Sequence, residues 1–123
     1  EARERTPGPP DDDGAEVRSI ARAVTLAVLR GLDGGRRTQA FRFLYEARLI
    51  ESSQPVVDLA GADLSETDLS NMKLSGMNLS AARLVQAKLI STDLTGADLS
   101  SANLSGATLV FAALDHAHLD GGG

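Results

Sequence analysis

Few side chains in this chain could do chemistry, and their spacing limits what that chemistry could be. His116 and His118, with Asp115 and Asp120 beside them, offer imidazole and carboxylate ligands for a metal ion. The two imidazoles, two residues apart on a chain that keeps turning, fall on different parts of the turn and fix no third ligand. They read as solvated polar positions. Aspartates recur through the second half of the chain, but in outward polar slots rather than as a facing acid/base pair. Ser65, Ser70, Ser75, Ser80, Ser100 and Ser105 have no base placed against them to make a nucleophile. Gly34-Gly35 ahead of Arg36 and Arg37 could receive a phosphate at a helix start, yet the full phosphate-loop motif is missing and a helix cap is the simpler reading. There is no cysteine, which removes disulfides and thiolate metal sites. The expectation is a protein that is not an enzyme and carries no cofactor and no metal.

What positions these residues is a period of five. Leucine stands at Leu59, Leu64, Leu69, Leu74, Leu79, Leu84, Leu89, Leu94, Leu99, Leu104, Leu109, Leu114 and Leu119 without a break. Five matches neither the 3.6 of a helix nor the 2 of a strand, so the backbone must turn a corner in every unit. Two positions before each Leu the residue is usually small, as at Ala62, Ala82, Ala97 and Ala102. The residue between is mostly polar. Ser and then often Gly follow the Leu, and both are turn formers. Each unit therefore reads in, out, in, corner, corner. Met72 and Met77 break the small-residue rule in neighbouring units, as adaptable filling of a wider first coil.

Ala62-Asp63-Leu64-Ser65, Ala97-Asp98-Leu99-Ser100 and Ala102-Asn103-Leu104-Ser105-Gly106 resemble the A(D/N)Lxx signature of the pentapeptide-repeat family. The resemblance covers about half the chain. It implies a mainly β fold, a right-handed quadrilateral β-helix with four units to a coil and about three coils. Val17-Arg18-Ser19-Ile20-Ala21-Arg22, Leu32-Asp33-Gly34 and Phe43-Leu44-Tyr45-Glu46-Ala47 also resemble an upstream helical segment of some bacterial members. Some of those look membrane-anchored further upstream. Four units per coil stacks residues twenty apart at about 4.7–4.9 Å. Asp63 then meets Arg83, Asp68 meets Lys88, and Lys73 meets Asp93, three columns of opposite charge.

Composition agrees with a narrow repeat. Only 3% of residues are aromatic, so the core must be Leu and Ala. The net charge of −5 falls entirely after Gln54. An acidic repeat region disfavours direct nucleic-acid binding. The longest apolar run, Ala23 to Leu29, is far short of the roughly 20 residues of a membrane span. The chain begins at Glu1 rather than Met, as an excised segment or processed product would. A cytoplasmic location is expected, or a tether through a segment outside this chain.

The organisation expected is a linker over 1–13, two helices over 14–54, the β-helix over 55–121 and a tail at 122–123. Asp13 and Glu16 have capping-box spacing for a helix running to about Arg30. Val17, Ile20, Ala21, Val24, Ala27 and Val28 form its core-facing stripe; Leu26, on the opposite side, implies cover from more than one direction. Gly31 and Gly34-Gly35 end it. Asp33 caps a second helix from about Arg36 to Ile50, stopped by Pro55. Phe41, Phe43, Leu44 and Tyr45 on that helix are the candidate cap over the first coil, whose open edge would otherwise aggregate.

On the coil, Val85, Ile90, Val110 and Phe111 place apolar side chains where other units have Ser or Gly, and form the candidate interaction surface. The expected function is a noncatalytic scaffold presenting a flat face to a protein partner, with a homodimer through the open C-terminal end as a further partner expectation. The alternative is a nucleic-acid mimic that binds a DNA topoisomerase, like the quinolone-resistance members of the family. Basic residues in the acidic columns and the small number of coils depart from that pattern.

Overall fold

A computed structural model of the chain describes residues 14–51 and 55–121. Two helices come first, α1 (Ala15–Gly31) and α2 (Gly34–Glu46). The rest of the described chain is a ladder of single parallel bridges. Asp63 pairs with Arg83, Asp68 with Lys88, Lys73 with Asp93, and the series continues to Asp98 with His118. Residues twenty apart therefore stack, four five-residue units to a turn, as the charge columns predict. No continuous strand forms there because only one residue per unit is long enough between corners to bridge.

The corners explain the period. The residue two after each Leu has a positive φ in every unit, whether glycine, as at Gly61, Gly76, Gly96, Gly106 and Gly121, or not, as at Glu66, Asn71 and Phe111. A left-handed residue every five positions turns the chain through the same angle each time. Between corners the amides climb the ladder. Leu64 N donates to Arg83 O at 2.7 Å, Glu66 N to Val85 O at 2.8 Å, and Arg83 N back down to Ala62 O at 2.9 Å.

The interior is a stack of leucines and small residues. Leu64, Leu69, Leu79, Leu84, Leu89, Leu94 and Leu99 have no exposed surface, and Ala62, Ala82, Ala87, Ala97 and Ala102 fill the slots beside them. Thr67 and Thr92 occupy two of those slots fully buried. Their hydroxyls donate to Leu64 O and Leu69 O, which removes the cost of an unpaired buried group. Burial falls toward the last units, with Leu119 48% exposed.

The ladder leaves one amide per unit unpaired, that of the residue after the Leu. In seven units the outward residue satisfies it, and at Ile90 the Ser70 hydroxyl does. Asp58, Asp63, Asp68, Asn78, Asp93, Asp98 and Asn103 each accept, through the side-chain oxygen, from the amide two residues on, at 3.0–3.1 Å. The recurrent Asp/Asn is therefore a turn cap where it occurs, while Lys73, Arg83, Lys88, Thr108, Ala113 and His118 hold the same slot in the other units. The Ser70 hydroxyl and amide hold the Asp68 carboxyl below its usual range, and the Thr95 and Ser100 groups do the same for Asp93 and Asp98. A lowered folded-state pKa gives stability that is present above the ordinary carboxylate range and is lost as pH falls through the folded value. Asp68→Ala should cost about 1 kcal/mol at neutral pH. Asp68→Asn should keep the turn, as Asn78 and Asn103 do, while losing that share of the acid sensitivity. Thermal melts of both variants between neutral and acid pH check this.

The helices depart from the sequence expectations in four places. Gly14, with φ 77°, is the N-cap of α1 and uses no side chain; Asp13 lies outside the described residues. Gly34 and Gly35 open α2 rather than ending α1, with Asp33 accepting from Arg36 N at 2.8 Å as expected. α2 stops at Glu46, well before Ile50 and Pro55. Arg48 N donates to Tyr45 O and Leu49 N to Leu44 O, with Arg48 at φ 61°, the Schellman arrangement. Arginine rather than glycine holds the left-handed position, so no punctuation marked it. The fourth departure is the face that α1 buries. Leu29 is buried and Leu26 packs on the core, whereas Val17, Ile20, Val24 and Val28 are 52–68% exposed. Polar anchors on the Leu26/Leu29 side, described next, decide which face docks.

Candidate interaction site

The first turn of the coil has no turn beneath it, so its downward amides and carbonyls lack ladder partners. Side chains of the two helices meet four of them. Arg22 donates to Ala60 O at 2.6 Å, and Arg37 to Ser65 O at 3.2 Å. The Asp68 amide donates to Thr38 Oγ1 at 3.0 Å, and the Lys73 amide to the Tyr45 hydroxyl at 3.1 Å. Thr38 completes its own bonding by donating to Gly34 O. At these four groups, an edge that would pair with another chain meets polar side chains instead.

Arg37 is the centre of this arrangement. Its side chain is 11% exposed. It also donates to Leu29 O at 2.8 Å and Arg30 O at 3.3 Å, at the C-terminus of α1 where a cation is favoured, and pairs with Asp63 at 3.1 Å. Burial pushes the Asp63 carboxyl up, but the Ser65 groups, Arg37 and Arg83 outweigh it and the net direction is down. Arg83 lies 3.9 Å from Asp63, so the stacked charge pair is real but secondary to Arg37.

The candidate cap residues divide. Phe41 is fully buried, Leu44 is 7% exposed, and Tyr45 is half-buried with its hydroxyl on the edge. Phe43 is 64% exposed and stands apart from them. Its position, two residues from Phe41, puts it on the opposite side of α2, so its inclusion in the cap is corrected. Gly34 is needed for close approach: a Cβ there would lie 2.6 Å from Glu66 O. Arg22, Arg37, Thr38 and Gly34 were not visible as edge residues in the sequence, because the first-turn positions they meet are backbone groups.

The candidate interaction surface lies higher on the coil. Val110 stacks over Ile90, with Ser91 N donating to Val110 O at 2.9 Å. Ile90 is 37% exposed, Val110 52% and Phe111 85%. Phe111 holds its corner at φ 61°, a conformation that disfavours bulky L-residues. Val85 is half-buried and takes the same slot in its unit as Ile90 does in the next. His116 occupies a left-handed corner, while His118 sits in the outward ladder position over Asp98. Among the described residues no three metal-ligating side chains gather. An open groove of about 610 Å³ lies between the end of α2 and the first turn, over Met77 and Leu74, with Glu46, Arg48, Glu51 and Lys73 around it. No helix among the described residues is long and apolar enough to cross a membrane.

These features define a repeat solenoid of the β-helix class. The family model for pentapeptide repeats (8 copies) matches residues 58–96 and 82–121, and the chain belongs to that family, whose fold is a right-handed β-helix. No curated protein matches the chain. Among solved structures it is similar to the pentapeptide repeat protein Rfr23 from the cyanobacterium Cyanothece 51142, at 35% identity and a TM-score of 0.36, over 54% of this chain and 48% of that one. It is also similar to AT2G44920, a pentapeptide repeat protein from the Arabidopsis thaliana thylakoid lumen, at 35% identity and a TM-score of 0.26, over 53% and 52%. A third is HetL of Nostoc sp. strain PCC 7120, involved in heterocyst differentiation regulation, at 34% identity and a TM-score of 0.22, over 60% and 43%. The matches span about half the length of those chains.

Proposed function

We propose that the chain is a noncatalytic scaffold: a quadrilateral coil of about three turns over residues 55–121, closed below by α1 and α2, that presents one face to a protein partner. The contact surface is Ile90, Val110 and Phe111, with Val85 at its margin. Phe111 carries the reading. A large apolar side chain that is 85% exposed in a left-handed corner costs stability without improving packing. Four other units put glycine there at the same turn or below. Phe111→Gly should raise stability by up to about 1 kcal/mol while weakening partner capture. The test is comparative affinity capture with wild type, Phe111→Gly and Val110→Ser, each beside a thermal melt. Capture lost without loss of stability supports the surface; a partner retained equally by all three sinks it.

The topoisomerase mimic has no observation in its favour beyond the acidic balance of the repeat. Lys73, Arg83 and Lys88 interrupt that balance on the ladder face. A gyrase supercoiling assay separates the readings, since inhibition at stoichiometric concentration would replace the scaffold reading with the mimic.

A further inference from the structure

The exposed side of α1 is as apolar as a core. Val17, Ile20, Val24 and Val28 stand at 68, 59, 57 and 52% exposure. With Ala27 they fill an arc of about 100° that holds no charged residue, and Ala21 at its margin packs against the core. The other side of the helix is committed to the coil through Leu26, Leu29 and Arg22. A surface helix normally buries its apolar arc, so this one lacks an occupant within the described chain. The sequence of residues 1–13 offers little apolar cover for it, only Ala2 and three prolines.

The spacing identifies the occupant. Val17, Ile20, Val24 and Ala27 follow the 3-4-3 step of a coiled-coil seam. The flanking charges choose the orientation. Glu16 and Arg30 lie on the same margin of the seam at its two ends, with Ala23 between, and both are exposed. In a parallel pair this margin meets Ala21 and Val28 of the other helix. In an antiparallel pair related by a two-fold axis, Val17 faces Ala27, Ile20 faces Val24, Ala23 faces Ala23, and Glu16 meets Arg30 twice. From this complementarity we infer that α1 is a dimerisation helix and that its partner is the α1 of a second copy of this chain, antiparallel and isologous.

A free helix of 17 residues would be a poor coiled-coil partner, because ordering it costs much of what pairing returns. Here the coil already holds α1 in place, so that cost has been met in the monomer. The seam is short, so the dimer is expected to be weak and concentration-dependent.

Sedimentation velocity on the full chain, at concentrations up to about 1 mM, tests this. The wild type should pass from monomer to dimer. Val24→Glu should weaken association at least tenfold with little change in the thermal melt, since the side chain is mostly exposed. Glu16→Arg should weaken it several-fold, and Glu16→Arg with Arg30→Glu should restore it. That rescue is specific to the antiparallel register. A chain that stays monomeric throughout overturns the inference, and so does one that is monomeric yet floats with phosphatidylglycerol vesicles, which would make the stripe a lipid contact. A dimer that Val24→Glu leaves intact and Leu119→Lys abolishes also overturns it, placing the interface on the coil.

Discussion

Replacing Arg37 by alanine is expected to lower stability by about 3–5 kcal/mol. The guanidinium is nearly buried and makes bonds to Leu29 O, Arg30 O, Ser65 O and Asp63. Its removal takes the side-chain donor from Ser65 O and Arg30 O and one partner each from Leu29 O, which keeps Leu32 N, and from Asp63, which keeps the Ser65 amide. No other side chain described joins the end of α1 to both α2 and the coil. The loss should appear first in the helices, because a repeat coil can hold its own nearest-neighbour contacts after its cap loosens. Circular dichroism of the helical signal through a denaturant series gives the measurement. Its pH dependence is a second check. The Asp63 carboxyl is lowered in the folded chain, so its contribution exists above about pH 4 and fades as pH falls through the folded value. Arg37 is one cause of that lowering. The difference between wild type and variant should therefore be largest near neutrality and shrink in acid. Arg37→Lys should fall between the two, since an ammonium cannot span the same set of acceptors. A variant within about 0.5 kcal/mol of wild type would contradict the assignment.

Phe41→Ala should cost about 3–5 kcal/mol, and Phe43→Ala almost nothing. The two residues have the same chemistry and stand two apart on one helix, yet Phe41 is fully buried and Phe43 is 64% exposed. Phe41 packs in one continuous core with Leu29, Leu44 and the first leucines of the coil. Its truncation would open a cavity where the helices meet the repeat, and the surrounding backbone is too constrained by edge hydrogen bonds to close it. Equal effects of the two substitutions in thermal melts would mean that α2 is rotated about its axis relative to this description.

The pair also shows how far the sequence could be read. The unbroken leucine period states the coil's geometry directly, because every unit repeats the same demand: one buried Leu, one outward residue, one left-handed corner. Twenty-residue stacking followed from the family resemblance, with the charge columns as an independent check, and the bridges Asp63–Arg83, Asp68–Lys88 and Lys73–Asp93 show it. The helices gave less. An apolar stripe at helical spacing normally marks the buried face, and on α1 that inference failed. The docked face is chosen by Arg22 reaching Ala60 O and by Arg37 reaching back to Leu29 O, and no periodicity records such contacts. Asp and Asn in the outward slot were legible as polar but not as turn caps, although the Ser or Thr two residues on was the available signal. The apolar surface residues were legible as exceptions to a strict pattern. The strain at Phe111 was not, because it depends on a backbone angle.

The central claim is that the helices close the coil by meeting four backbone groups of its first turn. Amide hydrogen exchange at Asp68 and Lys73 tests it most directly. These two amides donate to Thr38 Oγ1 and the Tyr45 hydroxyl. They should exchange nearly as slowly as their stacked counterparts Lys88 and Asp93, which donate to Thr67 O and Met72 O within the ladder. Thr38→Val should release protection at Asp68 alone, and Tyr45→Phe at Lys73 alone. Exchange at the rate of an exposed loop in the wild type, or protection unchanged by either substitution, would contradict the account.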